Sequence, residues 1–130
     1  MSTSTAGRIV VATQDRPEGI AALRWALDRA QEQGAKITVV PTTGDSPGTP
    51  VHVSEDFRSR VRAIADTSGA AYELHETLAD IALTLVELSA EADLVVLPVK
   101  RRSATMKFLL GSIAQRVIGE AACPVVTVKA

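Results

Sequence analysis

The sequence predicts a single α/β domain in which about five parallel strands form a doubly wound sheet covered by about four helices. Two observations predict this class. Strand-like and helix-like segments alternate along all 130 residues, and the apolar residues, 46% of the chain, are almost entirely aliphatic because aromatic residues make up only 3%. A parallel sheet is buried on both faces, so its strands are rich in Val, Ile and Leu. We expect residues 1–7 to be a small polar tail and residues 8–130 to form the domain.

The first unit reads as a strand, a tight turn and a helix. Residues 8–12 are an apolar, β-branched run of strand length. Asp15 and Glu18 have the spacing of a capping box, and Pro17 is tolerated in a first helical turn. Apolar residues then recur at helical spacing until Gly34, which stands where a left-handed C-terminal residue is favoured.

The same alternation continues to the end of the chain. The third strand alternates polar and apolar residues, which predicts a half-exposed edge, whereas the fourth is the most apolar and is expected near the centre. With right-handed crossovers these features favour parallel strands in the order 3-2-1-4-5. The remaining strands are expected at 36–40, 71–75, 93–97 and 124–128. The second helix is expected to begin at a Ser54 cap and to bury Phe57, Val61 and Ile64. The third helix is expected to bury Ile81, Leu85 and Leu88, and the fourth Ile113, Val117 and Ile118.

Composition and charge exclude several classes of function. The net charge of −1 gives no overall attraction for nucleic acid or an anionic membrane. Cys123 is the sole cysteine, so no internal disulfide forms, and His52 and His75 are not spaced as a metal-ligand pair. No apolar run reaches membrane-spanning length, and we interpret residues 1–7 as a frayed tail and not as a signal peptide, so we expect a cytoplasmic protein.

Two segments resemble the universal stress protein family. Residues 9–27, IVVATQDRPEGIAALRWAL, are similar to the opening strand, turn and helix of that family. Residues 92–128, ADLVVLPVKRRSATMKFLLGSIAQRVIGEAACPVVTV, match its Ala-Asp-Leu strand, its phosphate loop and its Cys-Pro-Val ending. The resemblance implies a Rossmann-like domain of the adenine nucleotide alpha hydrolase type with a role in stress response.

The nucleotide-binding pattern of the family is altered in this chain. Its three loop glycines fall on Pro98, Arg101 and Gly111, and its ribose-binding acidic residue falls on Gln14. In ATP-binding members the glycine amides approach the phosphates. Pro98 has no N–H, and Arg101 carries a side chain where glycine stands. The resemblance therefore implies a degraded or retuned nucleotide site, made of Thr13, Gln14, Val40, Lys100, Arg101, Gly111 and Ser112.

The basic run after the fourth strand has three interpretations. Lys100, Arg101 and Arg102, with Lys107 nearby, could bind an anion, could form a solvated loop, or could place Arg101 in the phosphate site paired with Asp15. Ser112 has no base indicated beside it, so we interpret it as a hydroxyl that caps the following helix.

The last strand predicts an assembly. An edge strand exposes unpaired backbone groups that must be covered or paired. Universal stress proteins commonly pair this strand across a two-fold axis, so the resemblance implies a homodimer. The alternative is an edge covered by the tail, residues 1–7. The predicted interface consists of Val125, Val126, Thr127 and Val128.

These observations favour a non-catalytic stress-response module, acting as a homodimer with an unidentified protein partner. No cofactor is assigned, and ATP or another anion remains a candidate ligand. The alternative is an ATP-binding member with weak ATPase activity that uses Gly111, Ser112 and the basic loop. An adenylate-forming synthetase is a third option, but the chain lacks an extended glycine-rich loop after the first strand and a HIGH-type motif.

Overall fold

The computed structural model describes residues 7–43, 53–77, 80–100 and 111–130, and the expected tail falls mostly outside these ranges. The described chain forms a five-stranded parallel sheet in the order β3-β2-β1-β4-β5. This Rossmann-like α/β fold and its strand order confirm the prediction. The elements are β1 (Arg8–Thr13), α1 (Pro17–Gln33), β2 (Lys36–Pro41), α2 (Glu55–Ser68), β3 (Tyr72–Leu74), α3 (Ile81–Ser89), β4 (Leu94–Pro98), α4 (Ser112–Glu120) and β5 (Val125–Val128).

The sheet separates two apolar layers. On one face Ile9 and Val11 of β1 pack with α1 and α2, and on the other Val10 and Ala12 pack with α3 and α4. Both faces of β1 are therefore buried, which explains its unbroken apolar run. The edge strand β3 is half exposed, as its alternating sequence predicted. Among the described residues no helix has both the length and the apolar character to cross a membrane.

The start of α1 differs from the prediction. Arg16, not Asp15, is the N-cap residue, and no side chain caps the helix there, so the predicted capping box is wrong. The Asp15 carboxylate instead accepts a hydrogen bond from Nη1 of Arg60 on α2 at 3.0 Å. Pro17 occupies the first turn as expected, and Gly34 ends the helix with a left-handed φ of 66°.

Side-chain caps begin the next two helices. Oγ of Ser54 accepts a hydrogen bond from the Phe57 amide at 3.1 Å, which confirms the predicted cap of α2. Asp80 caps α3 by accepting a hydrogen bond from the Ala82 amide at 2.9 Å. Its other carboxylate oxygen accepts a hydrogen bond from Nη1 of Arg116 at 3.1 Å. Asp80 therefore both caps α3 and ties it to α4.

Helix α4 corrects two expectations. Gly111 is its N-cap and no side chain caps it, so Ser112 is the first helical residue and its predicted capping role is wrong. Ile118 was expected on the buried face but is 45% exposed. Ala114 and Val117 alone are buried in this short helix, and a rotation of about 100° per residue carries the side chain after Val117 towards solvent.

Candidate functional site

A cleft opens at the carboxyl ends of β1 and β4. The chain runs from β1 outwards to β2 and β3, and then crosses to β4 and β5 on the other side. The strand order thus changes direction between β1 and β4, which is where doubly wound sheets bind their ligands. The cleft lies on the α3 and α4 side of the sheet and has a volume of about 90 Å³, enough for several ordered waters or a part of a ligand.

The cleft has an apolar floor and a polar rim. Strand ends and the first turns of α3 and α4 supply the floor, whereas the rim comes from residues that follow β1, β2 and β4. The apolar lining residues are Ala12, Ile81, Leu85, Leu97, Pro98, Val99, Ile113 and Ala114. The polar lining residues are Gln14, Glu18, Thr42 and Lys100, together with Gly111.

The turn after β1 is fixed by hydrogen bonds. Oγ1 of the fully buried Thr13 donates to the carbonyl oxygen of Gly19 at 2.8 Å, and the carbonyl oxygen of Thr13 accepts from the Thr42 amide at 2.9 Å. Gly19 lies so close to the turn that a Cβ at this position would come within 3.0 Å of the backbone of Gln14. These contacts hold Gln14, which is 8% exposed, at the wall of the cleft.

The opposite wall follows β4. The amide of Val99 donates to the carbonyl oxygen of Val128 at 2.9 Å, which extends the pairing of β4 with β5 up to Lys100. Gly111 has a φ of −62°, which any residue adopts, and a Cβ there would meet no described atom within 4 Å. Glycine is therefore not required by the backbone at this position, and its effect is to keep the space beside the first turn of α4 open.

The structure brings together three of the predicted site residues. Gln14, Lys100 and Gly111 all line the cleft. Thr13 and Val40 are fully buried and do not line it, and the exposed Ser112 lies next to Gly111. Arg101, with the rest of the basic loop and the alternative pairing of Arg101 with Asp15, lies outside the described residues, as does His52.

Sequence reasoning missed several lining residues. Glu18 was assigned to a helix cap, although it lies in the first turn of the helix that follows β1 and so could have been placed at this edge. Thr42 directly follows β2, so it too could have been placed at the carboxyl edge of the sheet, where doubly wound folds bind ligands. Ile81 and Ile113 were predicted only as core residues, because their apolar character gives no signal of a cleft.

The cysteine and the histidine within the described ranges lie away from the cleft. The described residues contain no group of three or more His, Cys, Asp or Glu side chains arranged to hold a metal ion. Cys123 packs against the α3 and α4 layer, where burial and then the charge of Asp93 raise the pKa of its thiol. His75 is exposed directly after the edge strand β3. None of these side chains lines the cleft.

A doubly wound parallel sheet with a polar-rimmed cleft where the strand order reverses is an arrangement typical of α/β proteins that bind small ligands. The universal stress protein family model matches residues 5–129, and the chain belongs to that family. A universal stress protein of Mycolicibacterium smegmatis is 30% identical over 126 residues, covering 93% of this chain and 96% of the relative.

Solved structures of the same family are similar in fold. A universal stress protein from Archaeoglobus fulgidus superimposes with a TM-score of 0.70 at 26% identity, covering 95% of this chain and 93% of that one. A structure of the universal stress protein from the same organism in complex with dAMP has a TM-score of 0.66 at 24% identity, covering 96% and 98%.

Proposed function

We propose that this chain is a non-catalytic stress-response module whose cleft binds an adenine mononucleotide through a retuned site. The observation that carries the proposal is the cleft itself, with its apolar floor and with Gln14, Lys100 and Gly111 on its rim. An apolar floor suits a flat base, and a few polar groups suit the sugar and phosphate. The complex of the Archaeoglobus fulgidus relative with dAMP supports a ligand of this class.

The chemistry of the described lining supports binding over catalysis. Phosphoryl transfer depends on cations that neutralise the developing charge and on a group that positions the nucleophile. The described lining offers one ammonium, from Lys100, and the carboxylate of Glu18. The hydroxyl of Thr13 donates a hydrogen bond to the carbonyl oxygen of Gly19 at 2.8 Å, so its proton is already used within the protein. The cleft therefore suits a ligand that is held and then released unchanged.

The same lining favours one phosphate over three. Pro98 ends β4 at the cleft and has no N–H to donate to a phosphate oxygen. Each further phosphate group adds negative charge, which the Glu18 carboxylate repels and one ammonium cannot balance. We therefore expect little gain in affinity from AMP to ATP.

A calorimetric titration with AMP, ADP and ATP tests this function. We expect AMP to bind and the three dissociation constants to lie within roughly tenfold of one another, which corresponds to about 1.4 kcal/mol. ATP bound a hundredfold more tightly than AMP, or ADP released from ATP at a measurable rate, would favour the ATP-binding alternative. Absence of binding by all three nucleotides would refute the proposed ligand class.

We also propose that the protein is a homodimer paired through β5. In the described sheet β5 is hydrogen-bonded to β4 alone, so its other edge carries backbone groups that a second copy could pair with. Val125, Val126 and Val128 are only partly buried, and Thr127 is exposed. A partner strand across a two-fold axis would cover both the apolar side chains and the backbone groups.

A further inference from the structure

The cleft presents two opposite charges that do not pair with each other. Several other ionic side chains of the described chain have partners, such as Asp15 with Arg60 at 3.0 Å and Asp80 with Arg116 at 3.1 Å. Neither Glu18 nor Lys100 makes a salt bridge or a side-chain hydrogen bond to any residue within the described ranges. Both nevertheless line the same cleft.

The fold places these charges on the two sides of the point between β1 and β4 where the strand order reverses. Glu18 lies in the first turn of α1, which follows β1, and Lys100 lies two residues beyond the end of β4. Strands β1 and β4 are neighbours in the sheet, with Val11 in register with Val96. The two side chains therefore line the same cleft from the ends of adjacent strands.

Each charge selects a different chemical group. The carboxylate of Glu18 only accepts hydrogen bonds, and the half-buried position of this residue removes part of its water. Hydroxyl donors satisfy such a carboxylate, whereas a phosphate beside it is repelled. The ammonium of Lys100 only donates, and a phosphate supplies acceptor oxygens of opposite charge. The lining between them is mainly apolar.

We propose that Glu18 and Lys100 orient the mononucleotide, with the sugar hydroxyls donating to Glu18 and the phosphate accepting from Lys100. This inference rests on the proposed function and adds the two residues that bind the sugar and the phosphate in this chain. It makes Glu18 a selector for nucleotides that carry free sugar hydroxyls. The structural alternative is that Glu18 only stabilises the positive end of α1, where an acidic residue in the first turn is favourable in any case.

The test separates the two ends of the ligand. Binding of AMP, of 2′,3′-dideoxyadenosine monophosphate and of adenosine is measured by calorimetry for the wild type, Glu18→Gln and Lys100→Gln. Two control variants, Glu32→Gln and Lys36→Gln, make the same charge changes at the exposed end of α1 and at the amino end of β2, whereas the cleft lies at the carboxyl ends of the strands. Unfolding midpoints of all variants are recorded alongside.

Each of the two variants is expected to change the affinity for some of the three compounds and not for all of them. The wild type binds AMP roughly tenfold more tightly than the dideoxy compound. Glu18→Gln reduces this preference, because its neutral amide oxygen accepts a weaker hydrogen bond than a carboxylate, and it does not weaken the binding of the dideoxy compound. Lys100→Gln removes the advantage of AMP over adenosine and keeps the preference for sugar hydroxyls. The two control variants bind like the wild type.

Two outcomes would overturn the inference, and they are distinguishable. If AMP binds but Glu18→Gln weakens AMP and the dideoxy compound equally, or changes neither, Glu18 does not read the sugar and only its helix-stabilising role remains. The proposed function then still stands. If none of the three compounds binds to the wild type, the proposed function fails and the orientation fails with it.

Discussion

Replacing Gly19 with alanine is expected to destabilise the protein by about 3 kcal/mol, a large share of the 5–15 kcal/mol that folds a typical domain. The added Cβ would lie within 3.0 Å of backbone atoms of Gln14. That backbone cannot easily move away, because the carbonyl oxygen of Gln14 accepts from the Arg16 amide at 2.8 Å and the adjacent Thr13 is bonded to Gly19. Either the turn or the first turn of α1 must shift.

Gly119→Ala is the matched control for this prediction. Gly119 also lies in a helix, α4, but a Cβ there would meet no described atom within 4 Å. Alanine has the higher helix propensity, so this variant is expected to be neutral or more stable by up to about 1 kcal/mol. Urea unfolding followed through the fluorescence of Trp25, the sole tryptophan, measures both variants. Equal stability of the two variants would show that the turn is not tightly packed against α1.

Val126→Asp is expected to convert a dimer into a monomer, with association weakened by at least roughly a hundredfold. Val126 lies in the middle of β5, is only partly buried, and pairs in register with Val96 of β4. A carboxylate at this position would be desolvated in an interface between two copies, and two such charges would face each other near the two-fold axis. Light scattering at tens of micromolar protein measures the mass.

Leu74→Asp provides the control for assembly. Leu74 is a partly buried residue of β3, at the opposite edge of the sheet. A charge there disturbs the edge to a similar degree but leaves β5 intact, so this variant should remain a dimer. Circular dichroism on both variants separates loss of the dimer from loss of the fold. A monomeric wild type, or an unchanged mass for Val126→Asp, would contradict pairing through β5.

The strand order could be predicted because local signals agree with the global fold. The apolar runs of β1 and β4 require burial on both faces, and the alternating sequence of β3 requires an edge. The left-handed conformation of Gly34 and the Ser54 cap could also be predicted from the sequence, because each depends on a few neighbouring residues.

The errors arose where a distant contact decides the outcome. Asp15 has the spacing of a capping residue, but it pairs with Arg60, which is 45 residues away in the sequence. The exposure of Ile118 depends on which neighbouring elements cover α4, and the helical period does not contain that information. Local pattern predicts an element, whereas its partners are set by tertiary packing.

The site was predictable only in part. Gln14, Lys100 and Gly111 could be placed at the cleft because the resemblance marks these positions and because they follow strands whose ends meet. Glu18 follows β1 in the same way, but it was assigned to a helix cap, because an acidic residue in a first helical turn is favourable in any case. The floor formed by Ile81, Leu85 and Ile113 has the composition of any core.

Amide chemical shifts recorded during a titration with AMP test whether the cleft at the carboxyl ends of β1 and β4 binds an adenine mononucleotide. The largest shifts are expected on Gln14, Lys100 and Gly111, which line the cleft, and no response is expected from Tyr72 and Glu73 of β3. Shifts that saturate elsewhere, for example along the groove lined by Arg24 and Thr67 between α1 and α2, or no shifts at millimolar AMP, would contradict it.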